Sequence, residues 1–229
     1  MEAGQAMKAA RSEILANVRS ALNKKDIEIP SAVDERLRAH AINTVPARVS
    51  GADADRIAIF IEEAERASAT IERIKAPKEL AGAVTAYLKS IDEEQAVRAA
   101  GHPLLKECLA EQTILEVTEG PSDGTDTVAL TAAFAGIAET GTLVLCAGSE
   151  SPTTLNFLPD TNIVLLPEVS IVGTYEDAWA ALRQTMGSGV MPRTVNWITG
   201  PSRSADIEQT LLMGAHGPRR LHIILLADS

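Results

Sequence analysis

The sequence predicts an α/β protein built on a largely parallel sheet, and three observations carry that expectation. Apolar segments of strand length alternate with stretches of helical periodicity along most of the chain, an order that requires crossover connections. The composition is 45% hydrophobic but only 3% aromatic, so burial falls to Ala, Ile, Leu and Val, which fill parallel strands and the helices covering them. At 229 residues the chain is long enough for one large α/β domain with a helical extension at its start.

Taken in order, Ile14, Leu15, Val18 and Leu22 recur at helical spacing and predict an amphipathic helix from about Lys8 to Asn23. Residues Lys24 to Gly51, with Pro30 and Pro46, read as an irregular connector. Behind Asp53, a good N-cap, Ile57, Phe60, Ile61 and Ala64 predict a helix to about Ala67. A short strand follows through Ala69, Ile71 and Ile74, and Pro77 opens a helix to Lys89. Then come a strand at Ala96 to Ala99, a helix from Pro103 to Ala110 and a strand at Ile114 to Val117. The second half predicts strands at Thr127 to Leu130 and Thr142 to Cys146, a helix near Ser151 to Leu158, a strand at Asn162 to Pro167 and a short one at Ser170 to Val172. A helix from Tyr175 to Met186, a strand at Val195 to Thr199, a helix from Asp206 to Leu212 and a last strand at Leu221 to Leu226 complete the series. The domain expectation is an N-terminal helix and connector over residues 1–50 and an α/β domain over residues 51–229.

Charge and composition exclude several functions. A formal net charge of -10 repels a phosphate backbone or an anionic membrane surface, and the short pairs Lys24-Lys25 and Arg219-Arg220 are no basic tract. No nucleic-acid partner is expected. The start of the chain lacks the apolar run of a signal peptide, and Thr127 to Ala138 is too short to span a membrane. A soluble, cytoplasmic protein is expected. The two cysteines, Cys108 and Cys146, read as buried thiols in a reducing compartment, and an iron–sulfur cluster wants four thiolates. No cofactor or metal is therefore expected in this chain.

Three loops concentrate polar groups at strand or helix ends, where α/β sheets place ligand crevices. In the first, Thr140, Gly141 and Thr142 could form an anion cradle with Glu139 as base, or a tight turn with a capping carboxylate. The second holds Gly200, Pro201, Ser202, Arg203, Ser204 and Asp206; it could seat an anion on a helix N-terminus with Arg203 as a fork of donors, while Ser204 or Asp206 caps that helix. In the third, Gly214-Ala215-His216-Gly217-Pro218, His216 suits acid–base work near neutrality, or else the segment is a helix C-cap. His40, His102 and His222 read as structural or solvent-facing. None of the familiar phosphate-loop, dinucleotide, zinc-protease or nucleophile-elbow signatures occurs, so the residues themselves point to a site for a small anion.

The strings Ala138-Glu139-Thr140-Gly141-Thr142-Leu143-Val144-Leu145, Leu158-Pro159, Gly200 to Glu208 and Gly214 to Pro218, in this order, resemble the LUD domain family. The resemblance implies a fold like the NagB/RpiA/CoA-transferase group, a mixed, mostly parallel sheet with helices on both faces. It also implies a role in oxidising L-lactate to pyruvate beside partner subunits that carry iron–sulfur clusters. With its cysteine count, this chain fits the cluster-free member of such a set. Glu139 and His216 are then the candidate catalytic residues, and Thr140, Gly141, Thr142, Gly200, Pro201, Ser202, Arg203, Ser204, Asp206 and Gly217 the candidate contacts to a small carboxylate or other small anion. Two other functions stay open: a stand-alone enzyme on small phosphorylated or CoA-linked acids, and a regulatory or scaffolding subunit, with homo-oligomerisation through the first helix also open.

Overall fold

The computed structural model describes residues 11–18, 20, 31–42, 44–50, 53–187, 189–207, 210–214 and 216–227, with residues 34, 37, 53, 54, 204–207 and 210–213 described by their backbone alone. The chain divides into two compact units, Met1–Ile42 and Asn43–Ser229.

In the first unit, helix α1 covers residues 11–18 and helix α2 covers Ser31–Ala39. Ile14, Leu15 and Val18, the predicted stripe of α1, are exposed; the ends of the predicted helix lie outside the described residues. Helix α2 corrects the reading of residues 24–51 as irregular. The prolines suggest a break, but the segment SAVDERLRA consists largely of helix formers, and a proline ahead of a helix is compatible with its start.

The second unit is built on a six-stranded sheet in the order β1-β12-β7-β4-β2-β3. Its strands are β1 (Thr70–Ile74), β2 (Ala96–Ala99), β3 (Glu116–Glu119), β4 (Val128–Ala132), β7 (Thr161–Pro167) and β12 (Arg220–Leu226), and every adjacent pair is parallel. A second, mixed sheet in the order β8-β5-β6-β9 contains β5 (Ala135–Ile137), β6 (Thr142–Cys146), β8 (Ile171–Val172) and β9 (Val195–Ile198). Helix α3 is Asp53–Arg66, α4 Leu80–Ser90, α5 Pro103–Leu109 and α6 Tyr175–Met186.

Alternation along the buried strands sorts the core into layers. On β7, Ile163 and Leu165 face one cluster with Leu80, Val84 and Leu88 of α4 and Leu105 of α5. Val164 and Leu166 face the other, with Phe60 and Ala64 of α3 and Leu143 and Leu145 of β6. Such a strand is apolar on both sides because both of its faces are covered. One face of the large sheet thus carries α4 and α5, while α3 and the second sheet share the other. Helix α6 packs on the far side of the second sheet, through Ala178 against Ala135, Ile137 and Val144. Its start is fixed by a capping box: Asp177 N donates to Thr174 Oγ1 at 3.2 Å and Thr174 N donates to Asp177 Oδ2 at 3.0 Å.

Two predicted helices are absent. The segment near Ser151 to Leu158 holds a single 3-10 turn, Thr153–Asn156. Strand β10 (Arg203–Ile207) pairs with antiparallel β11 (Thr210–Met213) as the two arms of a hairpin, in place of the predicted helix Asp206 to Leu212. Ala205, Leu211, Leu212 and Met213 are good helix formers, but the partners across the hairpin and the bonds at its base override local propensity. The predicted strand at Ile114 to Val117 forms two residues later, as β3, and β5 was not anticipated.

Candidate functional site

The hairpin changes the chemistry of the Gly200–Asp206 loop. No helix N-terminus opens there, so the expected dipole for an anion is missing, and neither Ser204 nor Asp206 caps a helix; both side chains lie outside the described residues. The C-cap reading of residues 214–218 falls for the same reason, because Gly214 follows a strand. Arg203 meets a helix end of the opposite sign. Its Nη2 donates to the carbonyl of Ala67 at 2.6 Å, directly beyond the last turn of α3, where unpaired carbonyls and the dipole favour a cation. A guanidinium carries five donors in a planar fork, so one bond orients the group without exhausting it. Gly200 packs on the same carbonyl: with φ +71, a Cβ there would lie 2.1 Å from Ala67 O. Only glycine fits that approach.

Ser202 joins two loops that are 14 residues apart. Its N donates to Pro218 O at 2.8 Å, its carbonyl accepts from Gly214 N at 2.9 Å and its hydroxyl accepts from His216 N at 3.3 Å. Arg203 and His216 are thereby brought to one cavity of about 280 Å³, lined also by Gly200, Pro201, Ser202 and Gly217. Six of the residues singled out in the sequence therefore share one wall system. Phe157, Ile198, Pro201, Pro218 and Leu221 supply its apolar surface.

The cavity opens at the amino ends of β7 and β12, marked by Asn162 and Leu221. That is the reverse of the usual crevice beyond the carboxyl ends of parallel strands. The carboxyl end of β9 from the second sheet supplies Ile198, Thr199 and Gly200 to the same place. Two roomier hollows, about 400 and 500 Å³, flank α5. In one, Lys106 is paired with Glu119, and in the other Glu107 and Glu111 outnumber Lys78, whereas the smaller cavity has Arg203 and no carboxylate among the described residues of its lining and so fits an anion better.

The Glu139–Thr142 turn plays a different part from the one expected. Glu139 is not among the residues lining the cavity; its N donates to Gly173 O at 3.0 Å and its carbonyl accepts from Arg48 Nη2 at 2.6 Å. Arg48 also pairs with Glu63 of α3. Gly141, at φ +63, lies so close to α3 that a Cβ would come within 2.2 Å of Ala64 N, so its open side is filled by helix backbone. Thr142 is fully buried and its hydroxyl lies 2.7 Å from that of Thr140, 3.1 Å from that of Tyr175 and 2.6 Å from that of Thr199. Thr140 and Tyr175 are themselves 2.9 Å apart. This chain of hydroxyls ends at Thr199, on the cavity wall. The turn holds the wall in place; it does not line it.

Two buried amides were missed by sequence reasoning, Asn156 and Asn162. Asn162 is 0% exposed. Its Oδ1 accepts from Thr131 Oγ1 at 3.1 Å, and its Nδ2 has no hydrogen-bond partner among the described residues. A buried donor left unpaired costs about 1–3 kcal/mol. The signal in the sequence was the polar pair Thr161-Asn162 opening an otherwise apolar strand, TNIVLLP, read only as a strand boundary.

The remaining sequence candidates have structural settings. His102 caps α5, its Nδ1 accepting from Leu104 N at 3.3 Å, and His222 is buried on β12. Burial pushes the Cys146 thiol up to about 11 and raises Cys108 as well, so both stay protonated near neutrality and are poor nucleophiles. Among the described residues no three His, Cys, Asp or Glu side chains gather as a metal site requires, and no helix is long and apolar enough to cross a membrane.

The profile of the LUD domain matches residues 124–226. Lactate utilization protein C of Geobacillus thermodenitrificans is 42% identical over 93 residues, covering 40% of this chain and 39% of that protein. The protein of the same name from Bacillus subtilis is also 42% identical over 93 residues, with the same shares. The match spans about 39% of the length of these curated relatives. A crystal structure of a DUF162 family protein from Deinococcus radiodurans superposes with a TM-score of 0.58 at 23% identity, over 77% of this chain and 99% of that one, a likeness of fold. The stretch that is similar to the LUD domain, residues 124–226, contains the Glu139–Thr142 turn, the Gly200–Arg203 loop and His216.

Proposed function

We propose that this chain serves in lactate utilization, and that its cavity binds a short monocarboxylic acid such as L-lactate or pyruvate. The observation that carries this reading is the convergence of Arg203 and His216, from two separate loops, on one cavity. The guanidinium holds the carboxylate by a charge-assisted bond, and His216, exposed at the wall, exchanges a proton with the C2 oxygen. Glu139 is assigned to the framework of its turn.

A volume of about 280 Å³ lies at the lower limit of ordinary ligand pockets, which suits a three-carbon acid. A CoA-linked acid would leave most of itself outside. Oxidation of a bound 2-hydroxy acid releases two electrons and, besides the hydroxyl proton taken by His216, the hydrogen on C2, and we assign the acceptors of the electrons and of that hydrogen to the iron–sulfur subunits that work with this chain, as the family resemblance implies. Residues 51–229 form the working domain in this reading, with residues 1–50 as an extension that can serve docking or self-association.

Hydrogen exchange of the purified chain with and without L-lactate or pyruvate tests the site. Protection is expected in residues 200–203 and 216–218. No protection there, either alone or in the presence of iron–sulfur subunits of a lactate-utilization system, would sink the proposal. Sugar phosphates and acyl-CoA compounds serve as competitors and are expected to produce no protection.

A further inference from the structure

Asn162 is out of keeping with its surroundings. On the same face of β7 the next positions are Val164 and Leu166, and beside it on β12 stands Leu221, all part of one apolar layer. An apolar side chain at this place would complete that layer. The chain instead keeps an amide there, with its oxygen fixed by Thr131 and its Nδ2 without a partner among the described residues. Sealed from solvent, such a donor is tolerated when something other than the protein supplies the acceptor. Asn162 borders the same cavity as Arg203 and His216.

We infer that Asn162 is a specificity-determining residue whose Nδ2 donates to the C2 oxygen of a short 2-oxo or 2-hydroxy acid. The inference rests on the carboxylate reading of the cavity and goes further, because it says which part of the acid is recognised inside. Arg203 is exposed and charged, and it is the stronger partner for a carboxylate. Asn162 is neutral and buried, a setting that suits an uncharged oxygen. Ile198, Leu221 and Pro218 leave apolar surface for a short carbon chain. A ligand satisfying all three has a carboxylate at one end, a second oxygen close to it and a small apolar remainder. Sites that hydrogen-bond one ligand oxygen reject analogues lacking it, because the site's own polar group is then left unpaired.

The test compares pyruvate, L-lactate and propionate, which share three carbons and differ at C2, by titration calorimetry on the full chain and on Asn162→Leu. The wild type is expected to bind pyruvate at least about tenfold more tightly than propionate, and Asn162→Leu to bring the two within about twofold with propionate unchanged. In the wild type, the side-chain amide resonances of Asn162, assigned by their loss in the variant, are expected to shift with pyruvate and not with propionate. That NMR measurement stands if Asn162→Leu fails to fold, and Asn162→Ala provides a second variant.

Pyruvate binding with discrimination unchanged in the variants, or with the Asn162 amide unmoved, would overturn the inference and leave the carboxylate site intact. If none of the three acids binds the wild type, the reading of the cavity itself fails, and the assignment of Asn162 fails with it.

Discussion

The phenol ring of Tyr87 lies flat against the imidazole of His222, their centroids 3.8 Å apart and their planes 7° from parallel. The pair locks α4 to β12 inside the second unit. His222 Nδ1 is 2.8 Å from Thr70 Oγ1, while Nε2 has no hydrogen-bond partner among the described residues and lies 3.8 Å from Glu72 Oε2. Burial pushes the imidazole down to about 4. Between an ordinary value near 6.5 and that lowered one, the unfolded chain binds more protons than the folded one, so stability falls as pH falls across this window. The loss is on the order of 3 kcal/mol at its fullest. Urea unfolding at a series of pH values is expected to show a steeper decline for the wild type than for His222→Phe. Equal slopes would mean that His222 is not the group responsible.

The glycines at the two turns separate packing from flexibility. Gly141→Ala and Gly200→Ala are each expected to cost at least about 3 kcal/mol, because each forces a Cβ into backbone at a positive φ. Gly148, where a Cβ meets nothing within 4 Å, serves as the control and is expected to tolerate alanine within about 0.5 kcal/mol. Thermal melts of the three variants check the contrast.

In the network of Thr140, Thr142, Tyr175 and Thr199, removal of the hydroxyl with three partners is expected to be more harmful than removal of one with two. Thr142→Val leaves three partners to rearrange around an apolar group and is expected to cost about 1–3 kcal/mol, whereas Tyr175→Phe is expected to cost about 1 kcal/mol. A larger loss in Tyr175→Phe by chemical denaturation would place the anchor at the helix and not at the turn.

Ligand binding is expected to respond to the cavity wall and not to the turn behind it. Arg203→Ala is expected to weaken pyruvate by about tenfold or more, with Arg203→Lys only partly restoring it, since a lysine lacks the planar fork. Glu139→Gln is expected to stay within about twofold of the wild type, because Glu139 does not line the cavity. Calorimetric titration decides; a large loss in Glu139→Gln would return that carboxylate to the site.

Much of the architecture was legible in the residues. The apolar runs IILL in β12 and IVLL in β7, and the capped helix beginning at Tyr175, carry their signals within a few positions. The glycine-rich loops were visible as well, and Gly200, Ser202, Arg203 and His216 lie together at the cavity. Glu139 was drawn into the site by its chemistry and its motif, but its backbone is committed to Gly173 and Arg48.

By itself, the sequence determined the α/β class, the order of most elements and the identity of the polar loops, because periodicity, caps and turn residues act over short stretches of chain. Only the tertiary structure decided that Arg203–Ile207 pairs with Thr210–Met213, that Arg203 meets the end of α3, and that Asn162 leaves a buried donor beside the cavity. These outcomes depend on which groups from distant segments satisfy one another's hydrogen bonds, and a long-range partner leaves no periodic trace in the chain around either residue.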